Sequence, residues 1–352
     1  MAARKQITIT QVARAAGVST QTVSRVINER PDVAPETRLR VQNVIEQLDY
    51  RPNVLARSLI HRRSHTIGVV AMSSGFYGPS TTLVGIEKMT RHLGYSLLLD
   101  FMHHPESDDV DRIINRLLSH QVDGILWAVP EVGQNRQWLQ DQLHVLPVPV
   151  LFLTMEARPG LSVIAVDNYA GGRLATTHLL EQGYRRIGHI AGPLDWWEAR
   201  QRKAGWEETL AAAGISEADR HWDAGDWSSA SGSEAIRRLL EQHPDMEAVF
   251  AGNDQMALGV LQIACQKGIR VPHDLAVVGF DGLPEAAHYW PPLTTVDQGQ
   301  EELGSMAVQT LVEIVKAQRQ DNPPRPTAIQ LQPRLVVRNS SAGVPARDDC
   351  CG

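Results

Sequence analysis

Apolar positions in the first fifty residues recur at helical spacing; beyond residue 65 they gather into short runs separated by amphipathic stretches. Near the start, segments at Ile9–Ala16 and Thr20–Asn28 flank a break at Ala16-Gly17-Val18-Ser19. Gly17 suits a turn with positive φ, and Ser19 can cap the second helix by accepting from its free backbone N–H groups. At roughly 100° per residue, Val23, Val26 and Ile27 form one stripe that can pack on Val12, Ala13 and Ala16. Gln21 and Arg25 then lie side by side on the opposite face, with Thr20 and Ser24 on one flank and Thr22 on the other. Thr37, Val41, Val44, Ile45 and Leu48 predict a third helix begun by Pro35, although Ala34 is a poor cap. Pro52 stops a helix, Asn53 can start another, and VLARSLI (54–60) is a short apolar segment bearing one Arg. A polar, nearly uncharged face on a supported short helix suits base edges in a major groove. An ordinary helical hairpin with a solvated face fits the same pattern.

From Thr66 the pattern changes. IGVV (67–70), YSLLLD (95–100), VDGILWAV (122–129) and VPVLFL (148–153) read as one set of strands. RIGHIAG (186–192), AVFAGN (248–253) and LAVVGFD (275–281) read as a second. Amphipathic helical stretches lie between them, and Gly94, Gly183, Gly214 and Gly268 fall where a left-handed helix terminus is wanted. Strand–helix alternation gives parallel sheets covered on both faces, and a break near 157–162 divides the strands into two units. Ligands of such sheets collect outside the carboxyl ends of the strands, so the loops after 70, 100, 129, 153, 192, 253 and 281 are expected to line a cleft.

Charge sharpens this division. The 352-residue chain carries −6 overall. Residues 1–63 hold 11 Lys/Arg against 5 Asp/Glu, leaving 23 against 35 beyond them, so a head of +6 sits on a body of −12. A basic head docks phosphates while an acidic body repels them. No apolar run reaches the roughly 18 residues of a membrane span. MAARKQITIT lacks a signal peptide's apolar run, so a cytoplasmic location is expected. Cys265 lies in an apolar helical stretch and reads as core; Cys350 and Cys351 lie in a polar tail, 341–352, expected to be disordered. No metal-ligand spacing, nucleophile elbow, dinucleotide fingerprint or phosphate loop occurs, so neither a cofactor nor an enzyme is expected.

The order helix-turn-helix, third helix, YRPN, short hinge helix and IGVV strand resembles the lactose-repressor (LacI/GalR) family of bacterial transcription regulators. The likeness runs from about Ile7 to Arg338, through VARAAGVSTQTVSRVIN, LDYRPNVLARSL, AGPLDWWEARQRKAGW, GDWSSASG, GNDQMALG, VVGFDG and PPLTTVDQ. It implies a helix-turn-helix head over 1–50, a hinge helix and linker over 51–65, and a type I periplasmic-binding-protein-like core over 66–340. That core would hold two doubly wound α/β subdomains, about 66–163 with 297–322 and 164–296 with 323–340. Thr20, Gln21 and Arg25 match base-reading positions: Arg25 can fork onto guanine, Gln21 onto adenine, and the Thr20 methyl can meet a thymine methyl. Thr8, Ser19, Thr22, Ser24, Asn28, Thr37 and Tyr50 resemble contacts to the DNA backbone. Asn53, Ala56 and Leu59 match the hinge segment that enters the minor groove, where paired Leu59 side chains would kink the duplex.

The resemblance also places an effector in the cleft. Asp281 and Asn253 close their strands and can each take two adjacent hydroxyls. Arg202 offers a donor fork, Trp227 a flat apolar face, and Gln298 lies where the chain recrosses between subdomains. Phe76 and Pro79 suggest an apolar wall, with Ser73 a polar contact. Each has a plainer reading: Asn253 can merely cap a helix, and Arg202 can pair with Glu198 one turn earlier. Two departures from the family pattern put the sugar in doubt, Thr154 in place of an Asp and Ala165 in place of an aromatic residue. The implied protein is a homodimeric repressor released from a palindromic operator by a small sugar, a galactoside among the candidates. The alternatives are a family member using a purine or other non-sugar effector, and a sugar-binding protein without DNA function. The terminal SSAGVPARDDCCG shows no leucine heptad, so a dimer is expected rather than a tetramer.

Overall fold

Three short helices build the first of two units into which the chain divides, residues 1–64 and 65–352. The computed structural model describes residues 7–27, 30–50, 64–72, 76–103, 109–133, 135–139, 143–216, 220–320, 322 and 324–342. Helix α1 (Ile9–Ala16) starts where the Thr8 N–H donates to Gln11 Oε1 at 2.8 Å, and it ends on Gly17 at φ 64. Helix α2 (Thr20–Ile27) begins with the Thr22 N–H donating to Ser19 Oγ at 3.0 Å. Helix α3 (Pro35–Gln47) starts on Pro35 with no side-chain cap at Ala34. Val12, Val23 and Val41, one from each helix, are fully buried together. Each such burial contributes about 1.5–3 kcal/mol, a large share for so small a core.

In the second unit, strands and helices alternate. The first run is β1 (Thr66–Met72), α4 (Tyr77–His92), β2 (Ser96–Met102), α5 (Val110–Ser119), β3 (Gly124–Ala128), β4 (Val150–Leu153) and β5 (Ser162–Val166). The second is α6 (Asn168–Glu181), β6 (Ile187–Ala191), α7 (Trp197–Ala212), β7 (Trp222–Ala224), α8 (Ser229–Gln242), β8 (Ala248–Ala251), α9 (Asp254–Lys267), β9 (Ala276–Asp281) and β10 (Thr294–Asp297). Helix α10 (Gln300–Gln318), β11 (Ala328–Leu331) and β12 (Arg334–Val336) follow. They form two six-stranded sheets, ordered β11-β5-β4-β3-β1-β2 and β12-β10-β9-β8-β6-β7. Pairing is parallel throughout except between β10 and β12. Both faces of each sheet are covered, so the strands are apolar without alternation: Val69 of β1 packs with Ile86 and Leu311, while Val70 packs with Ile113, Leu117 and Phe152. In the second sheet Val249 packs with Ile236 and Val260, and Phe250 with Trp206 and Phe280. The two doubly wound α/β lobes expected from the sequence are therefore present.

Three details depart from expectation. The first sheet keeps β5 through Val166 and also takes Ala328–Leu331, which pairs in parallel with Val163–Val166. The chain crosses to the second sheet only after Pro333, where Thr295–Asp297 pairs with Arg334–Val336. Cys265 is exposed rather than buried; it shares a helix face with Leu258 and Gln262, both exposed, while Ile263 and Ala264 face the core. No described helix is long and apolar enough to cross a membrane.

Candidate functional sites: a helical face and an inter-lobe cleft

In the first unit, α2 buries Val23 and Val26 and thereby turns Thr20, Gln21 and Arg25 outward, all three exposed. Thr8 and Ser19, at the starts of α1 and α2, are exposed; Thr22, Ser24, Thr37 and Tyr50 are half-buried. Arg25 Nη1 lies 3.5 Å from Asp32 Oδ2, with both side chains about half exposed. Asn28 and the hinge positions Asn53, Ala56 and Leu59 lie outside the described residues.

In the second unit, a cleft of about 720 Å³, open solvent at its mouth included, lies between the lobes. Eight of the nine effector residues singled out in the sequence line it: Phe76, Pro79, Thr154, Arg202, Trp227, Asn253, Asp281 and Gln298. The ninth, Ser73, lies outside the described residues. The walls come from the segments after β1, β3, β4, β6, β7, β8 and β9, the carboxyl ends expected from topology. Among the described residues none from the segment after β2 takes part. Ala165, buried on β5, is not part of the lining.

At the cleft floor the polar groups are knotted together. Arg202 Nε donates to Asn168 Oδ1 at 2.8 Å, and Nη1 donates to the Gly252 carbonyl at 2.5 Å and to Asp281 Oδ1 at 3.3 Å. Its guanidinium stacks 3.8 Å above the centre of the Phe280 ring. Gln298 Nε2 also donates to Asp281 Oδ1, at 2.5 Å. Arg202 therefore reaches across to β9 instead of pairing with Glu198. Burial depresses its guanidinium, against the pull of Asp281 and Glu198. Burial likewise pushes the Asp281 carboxyl up to about 6, with Arg202 and Gln298 opposing the rise.

Asp281 sits at φ 109, a conformation few non-glycine residues adopt, and the turn after it is tied down. The Gly282 N–H donates to Thr295 Oγ1, whose hydroxyl donates to Asp254 Oδ1 at 2.6 Å. Asp254 Oδ2 accepts from the Leu283 N–H at 2.8 Å. Asp254 is fully buried, and its carboxyl is pushed up to about 8 by burial and by Asp281. Asn253 takes its plainer role as well: its Oδ1 caps α9 through the Met256 N–H, and its Nδ2 donates to the Trp227 carbonyl. Trp227, at φ 74, is almost wholly buried; its ring lies 5.9 Å from that of Trp196 and 5.4 Å from the Arg202 guanidinium, so less of its face is free than expected.

Several lining residues were not among the effector contacts expected from the sequence. Gln300 and Thr82 bond each other from α10 and α4, Oγ1 donating to Oε1 at 2.6 Å. Glu198 is buried on α7 and lines the cleft, and its carboxyl rises to about 7 through burial. Behind it, Glu131 accepts from the Glu156 N–H at 2.9 Å and pairs with Arg158. At the mouth the lobes are stitched together: the Trp197 N–H donates to the Glu131 carbonyl at 3.0 Å and the Gly133 N–H to that of Asp195 at 2.9 Å, with Val132 opposite Trp196. The Trp196 ring meets Phe76 edge-on, centroids 5.8 Å apart.

Comparison with known proteins follows the same division. Residues 8–53 match the family model for bacterial regulatory proteins of the lacI family, and 176–341 match that for a periplasmic binding protein-like domain. The chain is 36% identical to the ribose operon repressor of Escherichia coli (strain K12) over 343 residues, 95% of this chain and 99% of that protein. It is 34% identical over 342 residues to the HTH-type transcriptional repressor PurR of Salmonella paratyphi A, covering 97% and 98% of the two chains. Its structure is similar to the lac repressor dimer bound to operator and the anti-inducer ONPF, with a TM-score of 0.84 at 31% identity over 96% of this chain and 100% of that one.

Proposed function

The chain belongs to the lacI family of bacterial regulatory proteins and is a DNA-binding transcriptional repressor rather than an enzyme, and from that premise we propose that a neutral sugar in the inter-lobe cleft is its effector. The observation that carries this reading is the knot of Arg202, Asp281 and Gln298 beneath aromatic walls, a donor-and-acceptor floor suited to hydroxyls and C–H faces. The name of the ribose operon repressor agrees with a sugar. Phe76, Pro79, Thr154, Trp227 and Asn253 complete the proposed site, with Ser73 a further contact.

On the DNA side, Thr20, Gln21 and Arg25 read bases. Thr8, Ser19, Thr22, Ser24, Asn28, Thr37 and Tyr50 hold phosphates, and Asn53, Ala56 and Leu59 enter the minor groove. A homodimer presents two heads to a pseudo-palindrome whose half-sites lie about one helical turn apart. Sugar binding weakens this complex by a coupling of about 1–3 kcal/mol. Operator selection followed by anisotropy on the selected duplex, with and without a sugar shown calorimetrically to bind, is the test. A bound sugar that leaves operator affinity unchanged contradicts the switch.

A second reading, a planar purine-like effector, is favoured by one observation: Phe76, Trp196 and Trp227 present rings into the same cleft. The similarity to PurR agrees with it. Purine bases belong in the same calorimetric screen.

A further inference from the structure

We propose that Glu198 selects the effector, accepting a hydrogen bond from a hydroxyl of a neutral ligand and turning anionic ligands away; this rests on the sugar reading of the cleft. Glu198 stands in the first turn of α7, lines the cleft and is 8% exposed. Its Oε2 is buried with no hydrogen-bond partner among the described residues. The other charged groups of the lining are engaged: Arg202 with Asn168, the Gly252 carbonyl and Asp281, and Asp281 with Arg202 and Gln298. A buried acceptor without a donor is costly, so native proteins rarely keep one unless something arrives to complete it.

A second unsatisfied atom narrows the chemistry. Trp227 also lines the cleft, and its Nε1–H is buried without an acceptor among the described residues. A hydroxyl both donates and accepts, so a polyol can meet the two needs, whereas a carboxylate or phosphate offers no donor to Glu198. Among the described residues, two carboxyls and one guanidinium are the charged groups of the lining, which opposes a further negative charge. The groups acting on Glu198 are Arg202 on its own helix and Arg136 and Glu131 from the segment after β3; burial outweighs them and raises the carboxyl to about 7. In either ionisation state it can bond a hydroxyl; ionised, it repels an anion.

Titration calorimetry on the full chain tests this with matched ligands: ribose and ribose 5-phosphate, galactose and galacturonate, cellobiose and cellobionate. The parent, Glu198→Gln and Glu198→Ala are compared, with thermal denaturation of each. The parent should take at least one neutral sugar and reject its anionic partner. Glu198→Ala should weaken the neutral sugar tenfold or more, and Glu198→Gln should relax rejection of the anion by a similar factor. Both variants should keep or raise Tm, since each removes a buried carboxylate. If the parent binds a neutral sugar and the variants bind it unchanged, the selector role is overturned while the sugar reading stands. Weakened binding that tracks a lowered Tm overturns it too, by assigning Glu198 a structural part. A parent that prefers an anion, or binds no ligand of the panel, overturns the sugar reading and this inference together.

Discussion

Glu198 and Asp254 are carboxyls held in places that favour the protonated form, and this has a measurable consequence for stability. Burial raises Glu198 to about 7 and Asp254 to about 8. In the unfolded chain both return to roughly 4. The native state therefore retains protons that the unfolded state has released, and stability falls as pH rises from the unfolded value through the native one. His189 works the other way: fully buried, it is depressed to about 3, so its contribution is complete above about 6.5 and is lost as pH falls. Between pH 6.5 and 8.5 the two carboxyls dominate, and unfolding free energy should drop by on the order of 1–3 kcal/mol. Guanidinium unfolding at the two pH values measures this. The double variant Glu198→Gln/Asp254→Asn should be nearly flat over the same range, and a parent whose stability rises with pH contradicts the argument.

At the scale of the element, α2 separates what supports the fold from the face proposed to read DNA. Val23 and Val26 carry the packing, whereas Arg25 is exposed and, among the described residues, pairs with Asp32 at 3.5 Å. An exposed pair of that kind contributes at most about 1 kcal/mol. Arg25→Ala should therefore leave Tm within a few degrees of the parent while costing about 1–3 kcal/mol of discrimination at one position of each operator half-site. A selection experiment returning the parental consensus contradicts that role. Elements of this sort were legible because their causes are local: Gly17 at φ 64, Ser19 capping α2 and Pro35 opening α3 all act within one turn of their own sequence. The same holds for Gly94, Gly183, Gly214 and Gly268, each at positive φ after a helix. Most of the cleft was legible too, because parallel strands point their carboxyl ends at one place. What escaped depends on distant partners. Strand β7 has three residues, too few to show a period, and exists because Trp222–Ala224 pairs with His189–Ala191. Glu131 meets Arg158 from 27 residues away, and Thr82 meets Gln300 from 218. Glu198 reads in sequence as a partner for Arg202 one turn on; only the fold shows that Arg202 is drawn instead to Asp281, leaving one glutamate oxygen without a partner among the described residues.

On the scale of the whole molecule, the stitch at the cleft mouth makes the movement of one lobe against the other testable. The Trp197 N–H bonds the Glu131 carbonyl and the Gly133 N–H bonds that of Asp195, which makes Val132 and Trp196 a non-hydrogen-bonded antiparallel pair. Such pairs hold their Cα atoms about 4.5 Å apart. That lies within the range a disulfide spans, roughly 4.4–6.8 Å. Val132→Cys/Trp196→Cys, built with Cys265, Cys350 and Cys351 replaced by serine, should therefore oxidise to a cross-link between the lobes. Walls formed by both lobes lead to the expectation that an effector enters and leaves as they part. Oxidation should accordingly slow association and dissociation tenfold or more in stopped-flow measurements, and reduction should restore both. Because Trp196 itself lines the cleft, the reference is the same protein reduced rather than the parent. Operator binding by the oxidised protein should no longer respond to effector on the timescale at which the reduced form does. Equal rates in the two redox states, with the cross-link verified by mass spectrometry, would mean that the effector passes without separation of the lobes and that the mouth is not the gate.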